Sequence, residues 1–430
     1  MSGAVPADED AELGALRVLA RRLGVDDGVR LLSPWTPLPA IAPGEAGRLS
    51  GAADLLLRFS QLPVLGVTGT AGKSTTARLA EAMLRASGID VLTADDAPAA
   101  NAWPTAALVE RVLGARPPVW CVAELTSNHL AVSSASPRIA CVTNVWPDHI
   151  DQHGSLAAYL EAKRRIVAFQ TADDWVVANA ADAGAMTLAR SSAARLLRVD
   201  PGGAAGDPGA GIEAGRLVAR LGGRTLDLGP ATALPAAPGS VNGLLAAAAA
   251  LLAGATPQGI ARALAGWRGL ALRREYLGVV DGSPVIRDAL AATPAKAAAG
   301  LALHVRGSVV LIAGGFDDLG GGAMHDAAEE RPLLVDAARV AAERCAHAAL
   351  FGPAGPRLAT ALRAAGLASV TVRETLAEAA GDARRHAAEG RTIVFAPWFP
   401  TSSADRAALP SLLGLPRPEP RDPEPGEPRV

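Results

Sequence analysis

The sequence predicts an α/β protein built around two parallel-sheet domains, the first of P-loop type and the second Rossmann-like. Three observations carry that prediction. The 430 residues exceed what one hydrophobic core ordinarily supports. From residue 61 onward, short apolar runs alternate with Ala- and Leu-rich helical stretches, the pattern of βαβ units. One of those runs, PVLGVTG, ends in a glycine-punctuated turn that opens a long helix. Half the residues are apolar and only 3% aromatic, which suits packed small-residue helices better than a β-sandwich.

The elements follow in order. Residues 12–24 have helical periodicity, Val29 to Leu38 carries a short strand and the Pro-rich turn LLSPWTPLP, and 50–60 is again helical. The strand of PVLGVTG precedes a helix over 73–87. IDVLTA, PVWCVAEL, IACVTNV and DWVVANA supply further strands of the first series. Residues 200–240, rich in Gly and Pro with weak strand signals at 216–228, predict a β-hairpin excursion. NGLLAAAAALLAG and PQGIARALAGW then form a helical pair. A second series, SPVIRDA, SVVLIAGG, AALFG, SVTV and TIVFAPW, places a domain boundary near 270. The Pro- and charge-rich end after Leu415 has too little apolar content to fold.

Bulk properties exclude several classes. A net charge of −2 without Lys/Arg runs argues against a nucleic-acid partner. Cys121, Cys141 and Cys345 lie far apart with no CxxC, so they read as buried thiols in a reducing compartment. The acidic start MSGAVPADEDAELG is no signal peptide, and the apolar run at 244–254 is too short to cross a bilayer. The expectation is a cytoplasmic protein without membrane insertion.

The strongest local signal is GVTGTAGKSTT, Gly66 to Thr76. Anion binding at a strand–helix turn needs glycines that let backbone N–H groups converge, a lysine for the β- and γ-phosphates, and a hydroxyl for Mg²⁺. Gly69, Gly72, Lys73 and Ser74 supply those parts. Val67 stands where the strict Walker spacing has its first glycine. The plain alternative is an ordinary βα turn with a solvated lysine.

TGTAGKST resembles the form found in Mur ligases and folylpolyglutamate synthases, and further segments continue the likeness in order. AELTSNHL (123–130) is similar to the family's E-x-S/T-S-x-x-L segment. VTNVWPDHIDQHGSLAAYLEAKRRI (142–166) is similar to its T-N-x-x-x-D-H-x-D-x-H-G-S…Y…A-K-x-R-I block, most in the wording of the glutamate-adding branch. GSVNGLLAAAAALLAG, GLALRREYLG and IRDALAATP follow more loosely, so the resemblance spans residues 30–405. It implies a truncated N-terminal substrate-side domain (1–61), a central ATP-binding domain (62–270), a C-terminal domain (271–415) and a disordered tail (416–430).

It also implies a chemistry: a carboxylate attacks the γ-phosphate of ATP, and an amine displaces phosphate from the resulting acyl phosphate. Both steps crowd negative charge, so Mg²⁺ at two sites and cationic side chains are required. The likeness assigns Gly69, Thr70, Gly72, Lys73, Ser74, Thr75, Asn242, Arg273 and Asp288 to the nucleotide. Ser74, Glu124, His149 and Lys163 go to the metals, with Lys73 and Arg273 alongside Glu124, His149 and Lys163 as the catalytic set. Asn101, Thr126, Ser127 and Thr401 go to the substrates. Lys163 matches a lysine that the family carbamylates; between Arg164 and Arg165 it reads, on composition alone, as a helix-surface residue. Glu124 reads otherwise as a helix cap, and a lone His149 as structural. Partners are a small-molecule carboxylate, of the UDP-muramyl kind if the branch holds, and an amino acid, handled by a monomer in peptidoglycan precursor synthesis.

Departures from the family pattern concentrate at the substrate sites. The chain before the phosphate turn is short. The lysine of D-S-K-A-T-N-P is Leu290, that of G-G-x-x-K is Asp318, S-P-x-x-x-S reads Ala396 to Thr401, and the asparagine of TGTNGKS is Ala71. A cation lost opposite a carboxylate costs about 2–5 kcal/mol. Two other readings therefore stay open: a relative recruited to natural-product biosynthesis that joins an amino acid to a carboxylate without UDP, and a non-catalytic ATP-binding relative.

Overall fold

A computed structural model describes residues 7–25, 28–32, 49–94, 101–203, 206–234, 239–316, 331–399 and 401–416. Most of the Pro-rich turn, Asp318, Pro400 and residues 417–430 lie outside that set. The chain divides into two compact units, Ser2–Arg268 and Gly269–Val430.

The first unit carries a nine-stranded sheet, in the order Arg224–Pro230, Arg216–Leu221, Gly209–Glu213, Arg195–Asp200, Trp175–Asn179, Ile139–Val142, Val64–Thr68, Trp120–Glu124 and Val91–Leu92. The last seven are mutually parallel and the first two antiparallel. Val64–Thr68 is buried throughout and sits between Trp120–Glu124 and Ile139–Val142. A Cβ on Gly66 would lie 2.7 Å from Leu125 and 2.8 Å from Pro137, so this glycine serves packing of the strand. The chain leaves Val64–Thr68 toward one edge of the sheet and later returns to its other side. Open α/β sheets bind ligands at the carboxyl ends of strands where connections diverge in this way.

One sheet face is covered by the helices Lys73–Ala86, Gly239–Leu252 and Pro257–Gly266, with Leu79, Ala80 and Met83 packed among Leu245 to Ala250. Five consecutive alanines (246–250) are fully buried, which explains a helix apolar on every side. The other face takes the N-terminal helices: Leu16, Leu19, Leu55 and Leu56 share a core with Val109 and Leu125. Asp54 fastens this region, accepting from Ser50 Oγ (2.7 Å), Ser134 N (2.8 Å) and Ser134 Oγ (2.7 Å). The described residues of the first sixty lie in the first unit.

The hairpin expected within residues 200–240 is present, as Arg216–Leu221 paired antiparallel with Arg224–Pro230, and it belongs to a larger addition to the sheet. Arg195–Asp200, Gly209–Glu213, Arg216–Leu221 and Arg224–Pro230 extend the central sheet by four strands. Leu197, Val199, Ala210, Leu217 and Ala219 are buried beneath it, while arginines and glycines between them mask the signal in sequence.

The second unit has a six-stranded sheet in the order Glu275–Val280, Ser283–Arg287, Thr392–Trp398, Val309–Gly314, Cys345–Phe351 and Val370–Arg373, parallel except for the first pair. Helices cover both faces, with Leu311, Leu350 and Leu358 in one core and Ile312, Phe395 and Leu376 in the other. Both units are α/β, as expected. Cys121, Cys141 and Cys345 are free and buried, and burial pushes the Cys121 and Cys345 thiols up to about 12. Among the described residues no helix is long and apolar enough to cross a membrane.

Candidate active site

The turn after Val64–Thr68 is shaped by two glycines that tolerate no side chain. Gly69 has φ +154°, and a Cβ there would fall 1.8 Å from Thr143 Oγ1. Gly72, with φ +83°, caps the helix Lys73–Ala86, and its Cβ would fall 2.3 Å from Asn242 Oδ1. The turn is stitched to the end of the neighbouring strand. Thr70 N and Ala71 N donate to Asn144 Oδ1 (3.1 and 2.8 Å), while Thr143 Oγ1 and Asn144 Nδ2 donate to the Ala71 carbonyl (2.6 and 3.1 Å). Thr70 Oγ1 lies 2.8 Å from the Tyr159 hydroxyl and accepts from Trp146 N (2.9 Å). The first-turn amides of Lys73–Ala86 then point out of a fixed backbone, with the positive end of the helix dipole behind them.

Two lysines converge on one atom. Lys73 Nζ and Lys163 Nζ each donate to the Gly69 carbonyl at 3.0 Å, from residues 90 positions apart in sequence. Lys163 is buried on the helix Leu156–Ala168 and stands 4.9 Å from the Tyr159 ring centroid. It is not the surface residue its arginine neighbours suggest.

On the other side of the helix terminus, three oxygens gather. Ser74 Oγ is 2.5 Å from Glu124 Oε2 and 2.9 Å from Asn101 Oδ1, and all three residues are buried. Glu124 ends its strand and caps no helix; Thr126 caps the short helix Ser127–Ala131. A hydroxyl, a carboxylate and an amide oxygen are hard donors that suit Mg²⁺, and the adjoining helix terminus suits a polyphosphate. Among the described residues no group of three His, Cys, Asp or Glu offers a different metal site.

His149 adopts φ +51° with Nε2 3.4 Å from Asp148 Oδ2. Thr126 Oγ1 accepts from His129 N, and Ser127 Oγ lies 3.0 Å from His153 Nε2, so both expected substrate contacts hold structural partners. Thr75 occupies the first turn of Lys73–Ala86. His153 stands edge-on to Tyr159, and its pKa drops to about 4, first through burial and then through the Lys163 charge. His129 is likewise lowered to about 4 by burial, against the pull of Glu124.

Arg273, Asp288 and Thr401 belong to the second unit. Asp288 N donates to the Phe395 carbonyl (2.8 Å), and burial raises the Asp288 carboxyl against the opposing charges of Arg274 and Arg273. Thr401 is buried with Oγ1 unbonded. Thr143, Tyr159 and Arg274 were not singled out from the sequence, although Thr143 and Tyr159 stand inside the matched block and Arg274 inside GLALRREYLG.

Comparison with known proteins decides the family. Residues 67–216 match the Mur ligase middle domain. The UDP-N-acetylmuramoylalanine–D-glutamate ligase of Symbiobacterium thermophilum is 34% identical over 386 residues, covering 86% of this chain and 79% of that protein. The chain belongs to the Mur ligase family. A similarly named ligase of Myxococcus xanthus is 34% identical over 415 residues, 92% of this chain and 85% of its own. Among solved structures, MurF from Acinetobacter baumannii superposes with a TM-score of 0.61 at 20% identity, covering 85% of this chain and 79% of that one. FolC from E. coli, in complex with DHPP and ADP, gives 0.58 at 18% identity over 89% of this chain and 95% of its own. This Mur ligase is therefore an ATP-dependent, amide-forming enzyme.

Proposed function

We propose that this Mur ligase joins the carboxylate of UDP-N-acetylmuramoylalanine, or a close analogue, to glutamate in peptidoglycan precursor synthesis. It acts as a cytoplasmic monomer. One observation carries the reading: Lys73 and Lys163 share the Gly69 carbonyl at one end of a helix terminus whose next residue, Ser74, meets Glu124. Relatives covering most of the chain bear the corresponding name.

The residues divide the work by charge. The glycine turn and the amides opening Lys73–Ala86 hold the triphosphate, and Lys73 offsets charge between its β- and γ-groups. Ser74 and Glu124 would hold Mg²⁺, with His149 and Lys163 as ligands for a second ion, and the metal would supply neutralisation of the phosphate charge. Lys163, buried on its helix, would serve there as a carbamate, formed when its neutral amine adds carbon dioxide and releases a proton. The substrate carboxylate oxygen bonds to the γ-phosphorus as ADP departs. The amine then attacks the acyl carbon, and phosphate leaves. Asn242 and Asp288 bear on the nucleoside, Arg273 on the γ-phosphate, and Thr401 on the amino acid. Leu290 and Asp318 replace two lysines of the family pattern, so the amino-acid site has its own selectivity.

Phosphate release from ATP with UDP-N-acetylmuramoylalanine and D-glutamate, run beside a panel of other carboxylates and amino acids, tests the proposal. The expected outcome is release that requires both partners and vanishes in Glu124→Ala. Release with amino acids other than glutamate alone would overturn the assignment of the amine, and silence with every pair would overturn the reaction.

A further inference from the structure

The helix that begins at Lys73 does more than present a phosphate-binding end. Ser74, Arg78, Glu81 and Arg85 follow one another at spacings of four, three and four, so they line a single helix face. Val91, Ala94 and Asn101 lie along that face. Arg85 Nη2 donates to the Val91 carbonyl (3.0 Å), and Arg78 Nη2 donates to the carbonyls of both Ala94 (2.6 Å) and Asn101 (2.8 Å). Glu81 sits between the two arginines, accepting from Arg78 Nη1 (2.9 Å) and Arg85 Nε (3.1 Å). Ser74 faces the Asn101 amide oxygen at 2.9 Å. One face of one helix thus fixes both the backbone and the side chain of Asn101.

We propose that Arg78 is a positioning residue of the magnesium centre: it holds Asn101 so that Asn101 Oδ1 joins Ser74 Oγ and Glu124 Oε2 as the third oxygen facing the metal. The inference rests on the reading of Ser74 and Glu124 as magnesium ligands, and it moves Asn101 from the substrate side to the metal side. Geometry supports the move. Ser74 Oγ lies 2.5 Å from Glu124 Oε2 and 2.9 Å from the Asn101 amide oxygen, so the three groups face one another. Charge supports it as well. An amide adds an oxygen without a second buried anion beside Glu124, and Glu81 offsets part of the charge of Arg78 and Arg85. Glu124 N also donates to the Ala102 carbonyl at 2.6 Å, tying the carboxylate's own strand to the residue after Asn101. Arg78 and Glu81 are nearly buried, with side-chain exposures of 11% and 5%, so water competes little for these bonds.

Outer partners that orient metal ligands typically change metal affinity by about 10- to 100-fold when removed. The test is calorimetric binding of ADP to the full chain, with Mg²⁺ titrated and with Mg²⁺ chelated. Asn101→Ala and Arg78→Met should each weaken Mg²⁺ binding to the ADP complex by roughly 10-fold or more. The double variant should lose little beyond either single one, and ADP affinity without Mg²⁺ should stay within about twofold, because the cradle around Lys73 is untouched. Arg78→Lys should recover part of the loss. Asn101→Asp, which needs no change at Arg78, should tighten Mg²⁺ binding, and it decides the matter if Arg78→Met does not fold. Unchanged Mg²⁺ affinity in Asn101→Ala together with a raised KM for the carboxylate substrate would overturn the proposal and return Asn101 to the substrate. Failure of Glu124→Gln to weaken Mg²⁺ binding would overturn the underlying reading instead.

Discussion

At the scale of single residues, the phosphate turn is a case of glycines demanded by neighbours. Gly69 meets Thr143 and Gly72 meets Asn242, each at a distance no Cβ can occupy. Gly69→Ala should destabilise the first unit by about 1–3 kcal/mol from backbone strain alone, with the clash added. Gly72→Ala faces a side chain that can be removed, so Gly72→Ala with Asn242→Ala should regain part of the loss seen in Gly72→Ala. Urea titration of the four proteins measures that coupling, expected at about 0.5–3 kcal/mol. Additive losses would mean that Asn242 does not press on the turn.

At the scale of elements, the second unit contains a buried histidine whose surroundings resist charge. His347 on Cys345–Phe351 stacks on His386 with ring centroids 3.6 Å apart and planes 2° from parallel. Its Nδ1 lies 2.9 Å from Ser369 Oγ, and Thr371 Oγ1 lies 3.3 Å from Nε2. Burial first, then His386 and the Arg391 guanidinium, hold its pKa down at about 4 against an ordinary 6.5. The folded state therefore binds fewer protons than the unfolded chain between those values, and stability rises with pH across the window. The contribution is whole above about 6.5 and is lost as pH falls toward about 4. The urea midpoint of the second unit should drop over that range, and His347→Asn should flatten the drop. An unchanged slope in the variant would place the acid sensitivity elsewhere.

At the scale of the molecule, two compact units each own separate cores, and the glycine turn, both lysines and Glu124 all lie in the first. ADP should therefore stabilise the first unit directly. At 100 times its dissociation constant, a ligand that binds only the folded state adds about 2.7 kcal/mol. Calorimetric scans should show the transition of residues up to 268 moving upward with ADP, and Lys73→Met should abolish the movement. A shift that survives Lys73→Met would mean that the nucleotide is held elsewhere.

The sequence by itself determined the parallel-sheet class, the strand–turn–helix around Lys73, and the matched block containing Lys163. Each is local: an apolar period, a glycine pair, a run of motif residues. The strand signals at 216–228 were weak and those of Arg195–Asp200 and Gly209–Glu213 were missed, because arginines and glycines interrupt the apolar alternation that pairing along the sheet edge completes. Tertiary structure alone decided that Lys163 is buried on the Gly69 carbonyl and not solvated beside two arginines. It likewise brought Asn101 against Ser74 and set Asn144 as the strut of the phosphate turn. Those contacts join residues 27 to 94 positions apart. Periodicity and spacing describe a chain's neighbours along its length, whereas convergence on one carbonyl or one hydroxyl depends on which strands lie side by side.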